Sequence, residues 1–167
     1  MNETEWAYLA GLIDGEGYLN ILLHTSPSGR KHGKGYARDF ILTICNTQKE
    51  LLVTVKEKLG FGYIYEHKRK EGTIGANTFT LRFSHNELRG VLPKILPYLL
   101  LKKDAAQIML DSLNIIKEIS LSEERENMLL QKGLDFKNSY SKHQTPFMSR
   151  GTKRKEENRL HLQKVIV

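Results

Sequence analysis

Glu16 closes the apolar stretch Leu9-Ala-Gly-Leu-Ile-Asp-Gly-Glu-Gly17, at a point where a carboxylate is electrostatically misplaced. The stretch reads as an amphipathic helix, and a helix C-terminus carries partial negative charge, so an acid there is unfavourable. A bound divalent cation resolves the conflict, because hard cations take oxygen ligands. Gly11 and Gly15 lie four residues apart in the same stretch, and each costs a helix about 1 kcal/mol relative to alanine. Two glycines on one helical face call for another backbone close against that face. The structural alternative is a helix that packs through small residues and ends on a surface Glu.

Other residues with chemistry to offer are less specific. His24, His32 and His67 lack the spacing of a metal site. Cys45 stands alone, which excludes an internal disulfide and a cysteine-based zinc site within one chain; it reads as a small strand residue rather than a nucleophile. A net charge of +7 and a pI of about 9.4 call for an anionic partner, nucleic acid first and an acidic membrane surface second. A length of 167 residues suits one domain with a real core. No apolar run is long enough to span a bilayer. The start, Met-Asn-Glu-Thr-Glu, is acidic and carries no signal or transit pattern.

The elements that must position Glu16 follow from periodicity. Thr4–Asp14 reads as a helix with Thr4 or Asn2 as N-cap, and Gly17 as the residue just past its end. Tyr18–His24 alternates as a half-buried strand, with Leu22 breaking the pattern on the open face. Thr25–Ala37 reads as a loop, and Arg38–Cys45 as a second strand with Phe40, Leu42 and Ile44 inward. Asn46 or Thr47 caps a helix to Leu59, stopped by Gly60. Strands near Gly62–His67 and Thr78–Phe83 flank a basic turn, Lys68–Gly75. Ser84 and Glu87 form a capping box for a helix to about Leu96, ended by Pro97. Leu101–Ile119 reads as a long helix with Ala105, Met109, Leu113 and Ile116 in one stripe. Ser120 and Glu123 form a second capping box before a helix to about Lys132, and the remainder is polar, basic and weakly periodic. The class is α+β, an antiparallel sheet covered by helices on one face.

Such a sheet leaves its other face free. Tyr18, Asn20, His24, Thr43, Tyr63, Tyr65, His67, Thr80 and Arg82 fall there, a mixture of hydrogen-bonding and aromatic side chains suited to reading base edges. Two loops at the sheet's tips are basic: Arg30, Lys31, His32, Lys34 and Arg38 in one, Lys68, Arg69 and Lys70 in the other. A single basic loop is ordinarily a solvated loop; two on one polar-faced sheet suit phosphate contacts that position a protein on nucleic acid.

The stretch from Leu9 to Gly17 resembles the signature of the LAGLIDADG homing endonucleases: eight of the nine positions fit the usual pattern and its common variants, and the ninth, Glu16, keeps the acid one methylene longer than the usual Asp. The order of elements from Trp6 to about Ile119 is similar to the single-motif, homodimeric members, and the likeness beyond is much weaker. The resemblance implies an αββαββα fold with a saddle-shaped antiparallel sheet and further C-terminal helices, forming one domain over residues 1–167. The core would occupy about 4–120 and a helical, basic extension about 121–167. It implies a homodimer with Leu9, Gly11, Leu12 and Gly15 at the two-fold axis, which explains the glycines. The substrate would be a long, nearly palindromic double-stranded DNA site, cut in both strands with 3′ overhangs. Glu16 and the Gly15 carbonyl would hold Mg²⁺, with Mn²⁺ or Ca²⁺ able to occupy the same sites. Gln48, from Thr47-Gln48-Lys49, would orient the attacking water. Lys102, or failing that Lys103, would stabilise transition-state charge. The family often has Arg four residues after this Gln, where this chain has Leu52. Asp14 lies about 200° around the helix from Glu16, so capping or packing suits it better than metal ligation. Lys137 and Lys142 would reach phosphates from the flank.

Two other functions use the same basic sheet: an RNA maturase assisting an intron, and a non-cleaving DNA-binding protein. An intact Glu16 favours the nuclease, because RNA binding needs no metal ligand at the dimer axis. Genes of this family sit in organellar and microbial introns, so the expected compartment is a chloroplast, a mitochondrion or a prokaryotic cytoplasm, with no membrane partner.

Overall fold

The computed structural model describes residues 1–25, 36–69, 74–120 and 122–141. The chain runs α1 (Glu3–Glu16), β1 (Gly17–Thr25), β2 (Tyr36–Asn46), α2 (Lys49–Leu59), β3 (Tyr63–His67), β4 (Thr78–Arg82), α3 (His85–Ile95), α4 (Lys103–Glu118) and α5 (Glu123–Ser141). The four strands form one antiparallel sheet in the order β1-β2-β4-β3. This is the α+β, αββαββα arrangement expected, followed by further helices.

Strand alternation builds the core as the sequence pattern requires. Leu19, Ile21, Phe40, Leu42, Ile44 and Leu81 share the inner face and are buried, meeting Leu9, Ala10 and Ile13 of α1, Leu52 and Val55 of α2, and Leu88, Leu92 and Ile95 of α3. α4 adds Ala105, Met109 and Leu113, three residues of the expected stripe; Ile116 is half-buried at its end. Among the described residues no helix is long and apolar enough to cross a membrane.

Helix ends refine the expected boundaries. Asn2, not Thr4, caps α1: its side chain accepts the Glu5 N–H (3.0 Å) while Glu5 accepts the Asn2 N–H (2.9 Å). α2 starts two residues after Thr47. Gln48 is its N-cap residue without a side-chain cap, and Asn46 instead accepts the Gln48 N–H in a tight turn (2.8 Å). Gly60 ends α2 in the left-handed conformation (φ 79°). α4 begins at Lys103, because residues 100–102 form a turn bound elsewhere in the molecule. α5 continues nine residues beyond the expected Lys132 to Ser141. Its first turn is bonded by Ser122, whose hydroxyl accepts the Arg125 N–H (3.2 Å), rather than by Ser120. The apolar anchors Leu129 and Phe136, both buried on α5, are seven apart, too sparse to announce a helix by periodicity.

The passage from α1 to β1 uses no loop. Gly17 is the residue just past the end of α1, as expected, and its backbone is extended (φ −80°, ψ 143°). Its requirement is space: a Cβ there would lie 2.5 Å from the Ile13 carbonyl oxygen and 2.8 Å from the Ile13 Cα. Gly17→Ala should therefore push the α1–β1 junction apart and destabilise the protein by about 1–3 kcal/mol, read as a lower urea midpoint.

α3 carries the expected capping box. Glu87 accepts the Ser84 N–H (2.6 Å), Ser84 accepts the Glu87 N–H (3.4 Å), and Glu87 also accepts the Gly62 N–H (3.3 Å). Burial raises the Glu87 pKa, but the bonds from Ser84 and Gly62 outweigh it and hold the carboxyl below its usual value. A carboxyl depressed in the folded state stabilises above its unfolded pKa, and that stability is lost as pH falls through the folded one. Glu87→Gln should therefore melt below wild type at about pH 6, with the gap closing toward about pH 3; thermal unfolding at the two pH values measures it.

Candidate functional site at the acid end of the first helix

Glu16 is exposed at the last position of α1, and among the described residues its carboxylate makes no hydrogen bond or ion pair. Gly15, exposed beside it, supplies one of the four carbonyls that a helix end leaves without intrahelical partners. The preceding two are occupied. The Ile13 carbonyl accepts the Gly17 N–H and the Lys102 ammonium (2.8 Å), and the Asp14 carbonyl accepts the same ammonium (2.6 Å). Burial pushes the Lys102 pKa below the ordinary lysine value, against the opposing pull of the Asp14 and Glu16 carboxylates. Asp14, expected to cap or pack, uses its carboxylate to accept the backbone N–H groups of residues 100–102 in the turn before α4.

Gln48 reaches the same end of the sheet by topology. β1 and β2 pair so that Gly17 lies opposite Ile44, and the chain leaves β2 at Asn46 beside the α1–β1 junction. Gln48 is exposed there. Leu52, one turn on, is fully buried in the core. That position therefore carries a core side chain.

The outward face of α1 carries Tyr8 (58% exposed), Gly11, Leu12 and Gly15. Among the described residues nothing lies within 4 Å of a Cβ built at Gly11 or Gly15, so packing among them explains neither glycine. Leu9, expected on this face, is fully buried and belongs to the core. Counting three back from Gly11 leads to Tyr8, whereas Leu9 is about 200° away around the helix; the spacing alone could have identified Tyr8.

The open face of the sheet holds the expected row. Tyr18 stands opposite Thr43, Thr43 opposite Arg82, and Arg82 opposite Tyr63; Cys45 and Tyr65 flank Thr80, and His67 stands opposite Thr78. The Asn20 amide donates to the Tyr18 hydroxyl (2.6 Å). Tyr63 stacks on Tyr65, and Tyr65 meets His67 edge-on, forming an aromatic ladder along edge strand β3. Thr43 and Thr80 are corrections. Both point to this face but lie in the two central strands, 7% and 2% exposed, where taller neighbours cover them. Thr80 shares a hydrogen bond with the Cys45 thiol (3.2 Å) and has no surface left to offer a base.

Arg69 is a second correction. Its guanidinium donates to the carbonyls of Ile74 (2.6 Å) and Ala76 (3.0 Å), and its backbone N–H to the Asn77 side chain (3.2 Å), so it fastens its own turn rather than standing free for phosphate. Gly75 (φ 126°) allows this, since a Cβ would lie 2.6 Å from the Arg69 guanidinium. Lys68 beside it, Lys103 and Lys137 are exposed. Arg30, Lys31, His32, Lys34, Lys70 and Lys142 lie outside the described residues, as do the side chains of His24 and Arg38.

A family model described as LAGLIDADG endonuclease matches residues 9–111. No curated protein matches in sequence. Among solved structures, the homing endonuclease I-CvuI in complex with its target in the presence of calcium is 22% identical, with 96% of each chain covered and a TM-score of 0.63. I-Vdi141I, an archaeal intron-encoded homing endonuclease complexed with DNA, is 20% identical over 89% of each chain, with a TM-score of 0.66. I-SmaMI, bound to an uncleaved DNA target with calcium ions, is 20% identical, covering 83% of this chain and 45% of that one, with a TM-score of 0.63. At these identities the likeness establishes the fold.

Proposed function

The chain belongs to the LAGLIDADG endonuclease family, and from that premise we propose that it is an intron-encoded homing endonuclease, cutting both strands of a long, nearly palindromic DNA site as a homodimer. The observation that carries this reading is the exposed Glu16, without a hydrogen-bond or ion-pair partner among the described residues, at the junction where α1 passes directly into the open sheet face. One residue separates it from Tyr18, the first side chain of that face.

The residues fit a divalent cation. Glu16 and the Gly15 carbonyl are hard oxygen donors, suited to Mg²⁺ and equally able to accept Mn²⁺ or Ca²⁺. No group of three metal-ligating side chains exists among the described residues, so the remaining ligands would come from a second copy's Glu16 and from DNA phosphates. When bound, the cation would act as a Lewis acid toward the attacking water and the scissile phosphate. Gln48 would orient that water, and Lys102 would offer its ammonium to charge developing on the phosphate.

A second copy fits the outward face of α1. Gly11 and Gly15 leave open space beside an exposed Tyr8 and a half-buried Leu12, so two such helices can approach through their backbones. A two-fold dimer accounts for a near-palindromic site. On the sheet, Tyr18, Asn20, Tyr63, Tyr65, His67 and Arg82 would read base edges, with His24 in the same row, and Lys68 would contact phosphate. Arg30, Lys31, His32, Lys34, Arg38 and Lys70 would extend those contacts, and Lys137 and Lys142 would add flanking ones.

With Mg²⁺ and DNA spanning the intronless insertion site, wild type should cut both strands and leave 3′ overhangs. Glu16→Gln should bind that DNA equally well and cut it at least about 10²-fold more slowly. Wild type that binds the DNA and leaves it intact sinks the nuclease reading in favour of an RNA maturase or a non-cleaving binder. Gly11→Leu should give a monomer by sedimentation while leaving the protomer's stability the same or up to about 1 kcal/mol higher, since glycine is the poorer helix former. A wild-type protein that sediments as a monomer defeats the dimer.

A further inference from the structure

Asp14 holds Lys102 from two directions. Its carboxylate accepts three successive backbone N–H groups, those of Leu100 (2.7 Å), Leu101 (3.3 Å) and Lys102 (3.0 Å). Its own carbonyl, with that of Ile13, then accepts the Lys102 ammonium. Burial does not anchor this turn, because the Leu100 and Leu101 side chains are 87% and 64% exposed. Both carboxylate oxygens are engaged by the turn, which leaves Asp14 poorly placed to ligate a metal. A lysine has a flexible four-carbon stem, and the ammonium is useful to a phosphate only when its root and tip are both held.

We propose that Asp14 is a positioning residue for Lys102: through its clasp on residues 100–102 it sets where the Lys102 ammonium stands relative to Glu16. The inference rests on the nuclease reading only for its catalytic consequence; the clasp itself is a property of the protomer.

Two measurements on the full chain test it. The first is amine acetylation followed by mass spectrometry, without DNA or metal. Lys102 should react about tenfold more slowly than its exposed neighbour Lys103, and Asp14→Ala should bring the two rates together, as local opening does. The second is single-turnover cleavage of the insertion-site DNA. Asp14→Ala should lower the rate by about 10²-fold, the scale of a misplaced catalytic group, with DNA affinity in Ca²⁺ kept within about twofold. Because Asp14 acts through Lys102, Asp14→Ala/Lys102→Ala should be no slower than Lys102→Ala alone. Asp14→Asn, which keeps one acceptor oxygen, should recover part of both effects, and it carries the comparison if Asp14→Ala does not fold. Unchanged acetylation of Lys102 in the Asp14 variants overturns the proposal, as does a double variant whose losses multiply. If wild type fails to cut DNA, the nuclease reading falls, and the acetylation rates still decide whether Asp14 holds Lys102.

Discussion

A helix that ends on a carboxylate turns its last carbonyls and a full negative charge toward the same space. One ammonium answers that arrangement here. Lys102 donates to the carbonyls of Ile13 and Asp14, the position at a helix C-terminus where a cation is favoured. Among the described residues the placement leaves the Glu16 carboxylate unbonded, so the helix end is stabilised without consuming the acid. It also ties α1 to the turn before α4, joining the first helix to residues almost ninety positions later in the chain.

The sheet divides its labour by face. Inward residues of all four strands contribute to one core beneath α1, α2 and α3, while the outward face is largely polar, with Leu22 and Ile41 half-buried on it. Within the outward face, depth differs from residue to residue. Thr43 and Thr80 on the central strands are covered, whereas Tyr18 on β1 and Tyr63 on β3 stand clear, as do Cys45 on β2 and Arg82 on β4. An aromatic ladder runs along the β3 margin of this face.

Much of this was legible in the residues. Alternation predicted which strand residues point inward, and Ser84 with Glu87 announced α3 in full. The nonapeptide carried the family, and Asp14's angle around the helix correctly separated it from Glu16. What escaped had physical reasons. Leu9 and Tyr8 are adjacent apolar residues, and only strict helical counting assigns one to the core and the other to solvent. Burial of Thr43 and Thr80 depends on the height of neighbours on other strands, which no single strand displays. Arg69 looks like any basic loop residue until the turn closes on it. The clasp between Asp14 and residues 100–102 joins segments that share no local pattern. The extent of α5 was hidden because its buried anchors are few and Gly133 sits inside it.

The loopless handover at Gly17 has a consequence for how such a molecule can change. A loop is where chains ordinarily absorb insertions and deletions, and none separates Glu16 from β1. Strand side chains alternate with a period of two, so one added residue at this junction would exchange the two faces of β1, sending Leu19 and Ile21 outward and Tyr18 and Asn20 into the core. The offset between the acid and the row of side chains after it therefore behaves as a ruler of constant length.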